Sequence, residues 1–435
     1  MSRLLLAVPL ALAVATAACG ADAPAPMPDA SGDTAASGAD TLFSTGGTVQ
    51  MDSATVARLI AEDPLWEDAL RIHYDALIMD GHIDTPTEML LRRYRFASRH
   101  RARGGSAHVD LPRMIEGGLD APFFAIWVSR DLGEGENATR RATDMVAEIE
   151  RQITAASGVE IARTAADVRR VTARGDKVVL LGLEGGHALA GSVDVLRDLA
   201  AAGVRYVTLT HTNSNKLADS SQDRPIHDGL SELGEEMVRE MNRMGVLVDV
   251  SHVSDATLDD VLRVSTAPVI ASHSSARALV DNPRNLSDDQ MRAIAASGGV
   301  VMINYYNPVV NRRLTPEVME AARQRLERTY GGDGAKLWTA VREEQQARKI
   351  PEPTLDDVVA HIEHAVQVIG ADHVGLGSDF DGVPRLPDGL GDVTRLPWVT
   401  YGLLRGGMSE TDVRKVLGLS TLRVLEDAER VANTP

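Results

Sequence analysis

The amino-acid sequence predicts a (β/α)8 barrel of the TIM type, and three observations support that fold class. Eight short runs rich in Val, Ile, Leu and aromatic residues follow one another along the 435-residue chain. Most of these runs are almost continuously apolar, which is typical of parallel strands that are covered on both faces. Segments with helical periodicity lie between them, so strands and helices alternate as they do in such barrels. An open, doubly wound sheet is the alternative that the same alternation allows.

The candidate strands share an apolar body and an end that is polar or rich in glycine. Strands of a parallel barrel are expected to end in this way, because their carboxyl ends open into loops that carry function. The eight candidates are LIMDGHID from residue 77, APFFAIWV from 121, KVVLLGLEGG from 177, VRYVTLTHT from 204, GVLVDVSHVS from 245, APVIASHSS from 267, GVVMINYY from 299 and HVGLGSDFDG from 373.

Start and stop signals predict the helices between the strands. Ser192 and Ser231 precede periodic segments that end at Gly203 and Gly245, which are the residue types preferred at the two ends of a helix. Ser287 begins a third segment with the Ser-x-x-Gln pattern of a capping box. These signals support the alternation on which the barrel prediction depends.

Two further helical regions follow the seventh candidate strand. Residues 311–356 are long and highly charged, and we interpret them as a helical insertion. The insertion is either a wall or lid over the barrel mouth or a solvated helical pair without a role in chemistry. A last helix begins with Ser409 as its cap, carries an apolar stripe and is assigned to the scaffold.

Residues 1–18 have the composition of a signal peptide. Arg3 supplies the positive start, residues 4–15 form an apolar core, and small residues follow as a cleavage region. The single cysteine, Cys19, stands where bacterial lipoprotein signals carry the cysteine that is lipidated and becomes the new N-terminus. Ordinary secretion with an incidental cysteine is the alternative. In both cases we expect an exported protein, on the periplasmic side of a bacterial membrane, without an internal disulfide.

The segment after the signal peptide and the net charge limit the possible partners. Residues 19–50 are rich in Ala, Pro, Ser, Gly and Asp without a hydrophobic period, which predicts a flexible tether before a folded domain at residues 51–435. The formal net charge of −17 argues against nucleic acid and anionic membrane surfaces as partners, because both require a basic face. We therefore expect contact with a membrane only through an N-terminal lipid.

Six of the eight candidate strands end in side chains that a metal-dependent hydrolase needs. The carboxyl ends of barrel strands meet at one mouth, and positions i and i+2 of a strand share a face. His82 and Asp84 therefore both point towards the mouth. The complete set is His82 and Asp84 on the first strand, Glu184 on the third, His211 on the fourth, His252 on the fifth, His273 on the sixth and Asp379 on the eighth.

Each of these residues also has an ordinary explanation. A lone histidine after a strand is usually a loop or capping residue, Glu184 suits the start of a helix, and the aspartates of DFDG form turns. Coincidence at six strand ends is a weaker explanation than a shared site. Charged groups beneath a barrel mouth are costly unless they are paired or bound to a metal.

The types of ligand indicate which metals to expect. Imidazole and carboxylate without thiolate favour Zn²⁺, with Mn²⁺, Co²⁺ and Fe²⁺ as alternatives. Four ligands complete one structural zinc, whereas five with a bridging carboxylate suit two metals about 3.5–4 Å apart that share a water. His361 and His364 lie one helical turn apart in HIEH and are a second candidate pair. Because their helix lies well before the eighth strand, we expect them on a solvated face instead.

Eight strings of the sequence resemble the membrane dipeptidase (renal dipeptidase) family of zinc peptidases. The resemblance runs in order from about residue 72 to about residue 430 and implies that family's barrel fold. The strings are DGHIDTP, GLEGGHAL, TLTHTNSN, LVDVSHVS, APVIASHSSARAL, NPRNLSDD, VMINYY and HVGLGSDFDGVP.

The resemblance also implies the metal ligands. His82 and Asp84 would bind one zinc ion, and His252 and His273 would bind a second. Glu184 would bridge the two ions. The implied cofactor is therefore two Zn²⁺ per chain.

The remaining residues receive roles towards the substrate. The resemblance implies that His211 stabilises the oxyanion and that Arg284, in NPRN, binds the free carboxylate of the substrate. Asp379 would carry a proton or anchor the substrate amine, with Asp381 as the neighbouring candidate. A cation at Arg284 close to the metals leaves little room between the scissile bond and the carboxylate, which favours dipeptides over longer chains.

The predicted function is hydrolysis of dipeptides by a hydroxide that bridges two zinc ions. The resemblance implies broad side-chain tolerance, acceptance of C-terminal D-residues and a homodimer. The insertion at residues 311–356 leaves the substrate preference open. One alternative is a metal-dependent amidohydrolase that acts on another small amide or lactam with a carboxylate. The other is a non-catalytic binding lipoprotein on the same scaffold.

Overall fold

The computed structural model describes residues 44–45, 47–48, 51–102 and 106–432. The predicted signal peptide, Cys19 and most of the predicted tether lie outside the described residues. Ser44–Thr45 and Gly47–Thr48 pair as two short antiparallel strands within the predicted tether. No helix in these described ranges combines the length and the apolar character that crossing a membrane requires.

Eight parallel strands pair in sequence order and close into a barrel. β8 pairs with β1 through Leu376 and Asp80, which completes the circle. The barrel prediction is therefore confirmed, and the open doubly wound sheet is excluded. The strands are β1 (Met79–Ile83), β2 (Ala121–Trp127), β3 (Lys177–Glu184), β4 (Val204–Thr208), β5 (Leu247–Asp249), β6 (Val269–Ala271), β7 (Val300–Ile303) and β8 (Val374–Leu376). A short strand, Val159–Ile161, pairs beside the start of β3.

Helices cover the outside of the barrel, and the sequence located several of their ends. Ser192, Ser231 and Ser287 are N-caps whose hydroxyls accept a backbone N–H, and the capping box at Ser287 is present. Gly203 and Gly245 end their helices in the left-handed conformation that glycine adopts without strain. The α-helices are Ser53–Glu62, Leu65–Asp75, Thr85–Arg92, Leu111–Glu116, Glu136–Thr154, Ala165–Thr172, Val193–Ala202, Glu232–Met244, Asp255–Val264, Asp288–Ala296, Asn307–Val310, Pro316–Tyr330, Leu337–Ala347, Leu355–Ile369, Leu396–Arg405, Glu410–Arg414 and Ser420–Ala432.

The last helix differs from its prediction as one continuous segment. Ser409 caps Glu410–Arg414 as expected, but a π-helical turn at Lys415–Leu419 separates this helix from Ser420–Ala432. Gly418 within the turn lies against the backbone at the start of β1, where a side chain would not fit. The C-terminal helix then packs against the barrel at the amino ends of the strands, opposite the mouth.

The insertion between β7 and β8 is helical, as predicted. Its two long helices, Pro316–Tyr330 and Leu337–Ala347, pack on each other through their own apolar cluster. Between them, the turn at Gly334 lies so close to the backbone of Gln222, in the loop after β4, that a Cβ would overlap it. The insertion therefore reaches from β7 to the loop after β4, at the carboxyl ends of the strands.

Gly182 of β3 provides a test of the packing inside the barrel. A Cβ at this position would overlap the ring of Tyr206, which lies on the neighbouring strand β4. Because overpacking a core costs about 1–3 kcal/mol, we expect Gly182→Ala to lower the Tm in a thermal melt. Gly391→Ala is the control, because a Cβ there meets nothing within 4 Å. Equal melting of the two variants would contradict this description of the interior.

Candidate active site

The strand-end residues converge on one cavity at the barrel mouth. The cavity has a volume of about 270 Å³, slightly below the range of about 300–1,000 Å³ that holds drug-sized ligands. Nine site residues were predicted, and seven of them line this cavity. The eighth, His82, is fully buried next to two of the lining carboxylates. The ninth, Cys19, lies outside the described residues. The seven predicted residues that line the cavity are Asp84, Glu184, His211, His252, His273, Arg284 and Asp379.

The carboxylate of Glu184 is shared between two groups of side chains. Its Oε2 lies 3.5 Å from His82 Nε2, which is 3.4 Å from Asp84 Oδ2. Its Oε1 lies 3.2 Å from His252 Nε2 and 3.5 Å from His273 Nε2. The two groups therefore face opposite oxygens of one carboxylate.

Three sets of donor atoms in this cluster are close enough to hold a metal ion, each within 4.8 Å. Glu184 belongs to two of the sets and His82 to two. His211 and Asp379 also take part, so the candidate metal-binding cluster involves residues from six strand ends. The three sets are His82, Glu184 and His273; Glu184, His211 and His252; and His82, Asp84 and Asp379.

Burial and neighbouring side chains shift the pKa values of the ionisable groups in the site. Burial lowers the pKa of His252 and of His273 well below the usual value, so both rings are neutral at pH 7 and available as ligands. Burial raises the pKa of Asp84 and of Asp379. Burial also opposes ionisation of Glu184, but His82 and other imidazoles outweigh it and hold the Glu184 pKa well below its usual range.

The donor set fits a divalent cation. Burial disfavours the charged form of His82, yet Tyr206, Glu184 and Asp84 together raise its pKa. Within the described part of the chain, His82 Nε2 has no hydrogen-bond partner of good geometry, although it faces two carboxylates. Imidazole and carboxylate groups around an unpartnered buried nitrogen are the usual surroundings of Zn²⁺ and of similar ions.

Backbone strain marks the same residues. The φ angles of His252, Asp379 and Asp381 are 70°, 63° and 67°. They lie in the left-handed region that residues other than glycine rarely adopt. Each such residue costs about 1–3 kcal/mol and persists where the surrounding structure holds it, often at functional sites. The barrel therefore fixes these side chains in orientations that a relaxed backbone would not give.

Asp249 orients His273 through Ser272, and the sequence did not reveal either residue. The buried Asp249 carboxylate accepts hydrogen bonds from the Ser272 hydroxyl at 2.7 Å and from the Ser251 and Ser272 N–H groups at 3.0 and 2.8 Å. Because the Ser272 hydroxyl donates to Asp249, it accepts from His273 Nδ1 at 2.8 Å. His273 Nε2 is then unprotonated and points its lone pair into the cluster, as a metal ligand requires.

Asp80 is a second buried carboxylate that sequence reasoning passed over. It accepts the N–H of His82 at 3.0 Å and the N–H of Ser378 at 3.0 Å, so it joins the ends of β1 and β8. Asp80, in DGH, lies two residues before His82, and Asp249, in DVSH, ends β5 three residues before His252. A carboxylate two or three residues before a ligand is the sequence signal that could have identified both residues.

His211 is a neutral hydrogen-bond donor in this arrangement. The indole N–H of Trp127 donates to His211 Nδ1 at 3.4 Å, so the ring proton resides on Nε2. Burial lowers the pKa of His211 to about 4, which keeps the ring neutral at pH 7. His211 can therefore donate a hydrogen bond from Nε2 to an oxygen in the cavity.

Arg284 is a buried cation that lines the same cavity. It is 6% exposed, and it donates to the carbonyl of His273 at 3.0 Å and to the Ser274 hydroxyl at 3.4 Å. Burial lowers its pKa to about 10, so it stays charged at pH 7. Among the described residues, no carboxylate forms an ion pair with its guanidinium. A buried charge of this kind is costly unless a ligand supplies the opposite charge.

Asp379 and Asp381 have different surroundings. Asp379 accepts from the Asn304 side-chain amide at 3.1 Å and belongs to the donor set with His82 and Asp84. The two oxygens of Asp381 accept from the Thr85 hydroxyl and from the His108 N–H, both at 2.6 Å. Asp381 therefore joins chain segments, whereas Asp379 is the aspartate that lies within the cluster.

The prediction for the HIEH histidines is wrong in one respect. His361 is fully buried rather than solvated, and its Nδ1 accepts the N–H of Ala276 at 3.0 Å. Its helix packs this face against the segment after β6, which the sequence pattern alone did not show. His364 pairs with Asp288 at 2.7 Å. Among the described residues, neither histidine belongs to a group that could hold a metal.

Comparisons with known proteins agree with the geometry. The model of the membrane dipeptidase family (Peptidase family M19) matches residues 66–435. Dipeptidase tcpJ of Claviceps purpurea is 36% identical over 376 residues, which is 84% of this chain and 76% of that protein. The probable dipeptidase PvdM from Pseudomonas aeruginosa has a TM-score of 0.73 and 26% identity, and the match covers 85% of this chain and 99% of that one.

A further solved structure carries a ligand. The metallo peptidase from Rhodobacter sphaeroides, liganded with a phosphinate mimic of the dipeptide L-Ala-D-Ala, has a TM-score of 0.66 and 28% identity. That match covers 81% of this chain and 99% of the other. The resemblance in the sequence is thus confirmed across the whole barrel. This chain belongs to the membrane dipeptidase family, Peptidase family M19, and is a metal-dependent hydrolase that acts on peptide bonds.

Proposed function

We propose that this protein hydrolyses dipeptides with the help of two zinc ions. The observation that carries the proposal is Arg284, a buried guanidinium in the same cavity as the metal-binding cluster and without an ion-pair partner among the described residues. A planar guanidinium is suited to a carboxylate, which it binds with two parallel hydrogen bonds. A substrate with a free carboxylate a short distance from the scissile bond satisfies both features, and a dipeptide has this property.

The proposed ligands follow the two sides of Glu184. His82 and Asp84 would hold one ion with Glu184 Oε2, and His252 and His273 would hold the second with Oε1. When bound, such a pair lowers the pKa of a shared water and polarises a carbonyl group. We propose zinc because the donors are nitrogen and oxygen without thiolate.

Protein side chains then handle the charges and protons of the reaction. Arg284 holds the substrate carboxylate, and His211 donates a hydrogen bond from Nε2 to the carbonyl oxygen as negative charge grows there. A donor aimed in this way is worth about 3–4 kcal/mol in comparable sites. Asp379, whose pKa is raised by burial, takes a proton from the attacking water and passes it to the departing amine.

We also propose that the enzyme accepts a D-residue at the C-terminal position and tolerates varied side chains. Support comes from the Rhodobacter sphaeroides relative, whose ligand mimics L-Ala-D-Ala. A panel of L-L, L-D and D-L dipeptides measures this tolerance. Hydrolysis of other small amides or lactams, but of no dipeptide in the panel, would favour the amidohydrolase alternative.

The location of the protein is proposed from its first 50 residues. We propose that residues 1–18 direct export, that Cys19 carries a lipid on the periplasmic side and that residues 19–50 tether the barrel domain. A homodimer is proposed from the family resemblance. Fatty-acid labelling of the protein and of Cys19→Ala tests the anchor, and sedimentation tests the dimer.

Removal of metal tests the catalytic proposal. Treatment with a chelator is expected to abolish dipeptide hydrolysis, because the proposed nucleophile is a water activated by the metal ions. Added Zn²⁺ should restore the rate, with Mn²⁺ and Co²⁺ as comparisons. If the metal-free protein hydrolyses dipeptides as fast as the loaded protein, the proposed mechanism is wrong.

Replacement of Arg284 tests how the substrate is held. Arg284→Ala should raise KM for dipeptides by about 10-fold to 100-fold, because a charged hydrogen bond is worth about 1.5–3 kcal/mol. Arg284→Lys should give an intermediate value, since it keeps the charge but loses the paired donors. Arg385→Ala, which removes an exposed arginine, is the matched control. An unchanged KM in Arg284→Ala would remove the carboxylate role.

Replacement of Ser272 tests the link from Asp249 to His273. Ser272→Ala should weaken metal binding by about 10-fold to 100-fold, because His273 loses the partner that fixes its tautomer. Competition with a chromogenic chelator measures this without recourse to activity. Ser265→Ala, at the end of the helix before β6, is the control, because its hydroxyl donates to the Ala267 carbonyl and to Asn242, away from the cluster. Equal affinities in the two variants would contradict a role for Ser272.

A further inference from the structure

We infer that the helical insertion gives the substrate cavity an aromatic wall that selects dipeptides with an apolar side chain. The inference rests on the proposed dipeptidase function and concerns Trp338 of the insertion together with Tyr306 and Val309 after β7. All three line the cavity that contains Glu184 and Arg284.

The wall is formed by rings and aliphatic groups. The rings of Trp338 and Tyr306 meet edge to face, with centroids 5.8 Å apart and an angle of 86° between their planes. Val309 is 2% exposed beside them, and Val383 and Pro384 extend the apolar lining. The metal-binding cluster and Arg284 thus offer charged groups to the backbone of a substrate. The apolar wall is suited to one of its side chains.

The wall stands next to the proposed carboxylate site. Asn282 and Asn285 flank Arg284, and their side-chain amides donate to the carbonyls of Pro308 and Val309 at 3.0 and 2.9 Å. These bonds fasten the Arg284 loop directly to the segment that carries the wall. A dipeptide held at Arg284 therefore brings a side chain close to Tyr306 and Trp338.

The insertion holds Trp338 in a fixed position. The buried Glu344 accepts a hydrogen bond from Arg325 at 2.8 Å, which joins the two long helices of the insertion. The turn at Gly334 lies against the backbone of Gln222 on the far side of the mouth. A wall that is ordered before the substrate arrives loses little conformational entropy on binding, so more of the contact energy appears as selectivity.

An exposed cation near the wall provides an alternative determinant of the side-chain preference. Burial raises the pKa of Tyr306, and Arg342, which lies one helical turn after Trp338, is close enough to oppose that shift. It would favour acidic side chains, but solvent screens an exposed charge strongly. Two aromatic faces offer more stabilisation to an apolar side chain, so the wall and not the cation determines the preference.

Kinetics of the zinc-loaded enzyme with Gly-Gly, Leu-Gly, Gly-Leu, Glu-Gly and Gly-Glu test the inference. We expect kcat/KM to be about tenfold or more higher with leucine than with glycine in at least one position, mainly through KM. Trp338→Ala should lower that ratio by about tenfold, whereas Trp338→Phe should keep most of it because a ring is retained. Arg342→Ala should leave the leucine-to-glycine ratio unchanged, and the Tm of each variant verifies folding.

The outcomes separate the inference from the proposed function. If the ratio of kcat/KM for leucine and glycine substrates is the same in the folded Trp338→Ala variant and in the natural protein, the inference of a selective aromatic wall is wrong. A preference for the glutamate-containing dipeptides that disappears in Arg342→Ala also overturns the inference, and shows that Arg342 determines the selectivity. Absence of hydrolysis with every dipeptide overturns the proposed function itself, and the inference with it.

Discussion

The carboxylate of Glu184, shared between two groups of side chains, is the feature on which the rest of the site depends. Its two oxygens face His82 on one side and His252 with His273 on the other, at 3.2–3.5 Å. Three further ionisable side chains, those of Asp84, Asp379 and Arg284, line the same cavity. Their side chains are buried or half-buried, so uncompensated charge is costly and divalent cations are a physically suitable complement.

The barrel supports this concentration of charge by fixing the strand ends. Asp80 ties the end of β1 to β8, and Asp249 ties the end of β5 to β6, each through backbone N–H groups. The same structure holds His252 and Asp379 in left-handed backbone conformations. The hydrogen bonds of these carboxylates and the strained backbone both fix the positions of the site residues. Residues outside the site thus hold the catalytic geometry in place.

The sequence predicted the parts of the site that follow from strand order. Parallel strand ends must meet, so polar residues such as His82 and His273 were recognisable before any contact was known. The relay from Asp249 through Ser272 was not, because it depends on the register that sets Asp249 beside Ile270 in the neighbouring strand. Trp338 was also missed, since the place of the insertion over the mouth is fixed by tertiary packing and not by a local pattern.

The most direct test of the central claim is anomalous diffraction at the zinc edge from crystals of the zinc-loaded protein. The account predicts two peaks in the cavity, one on each side of the Glu184 carboxylate. A single peak, or peaks that do not touch Glu184, would contradict a carboxylate that is shared between two ions.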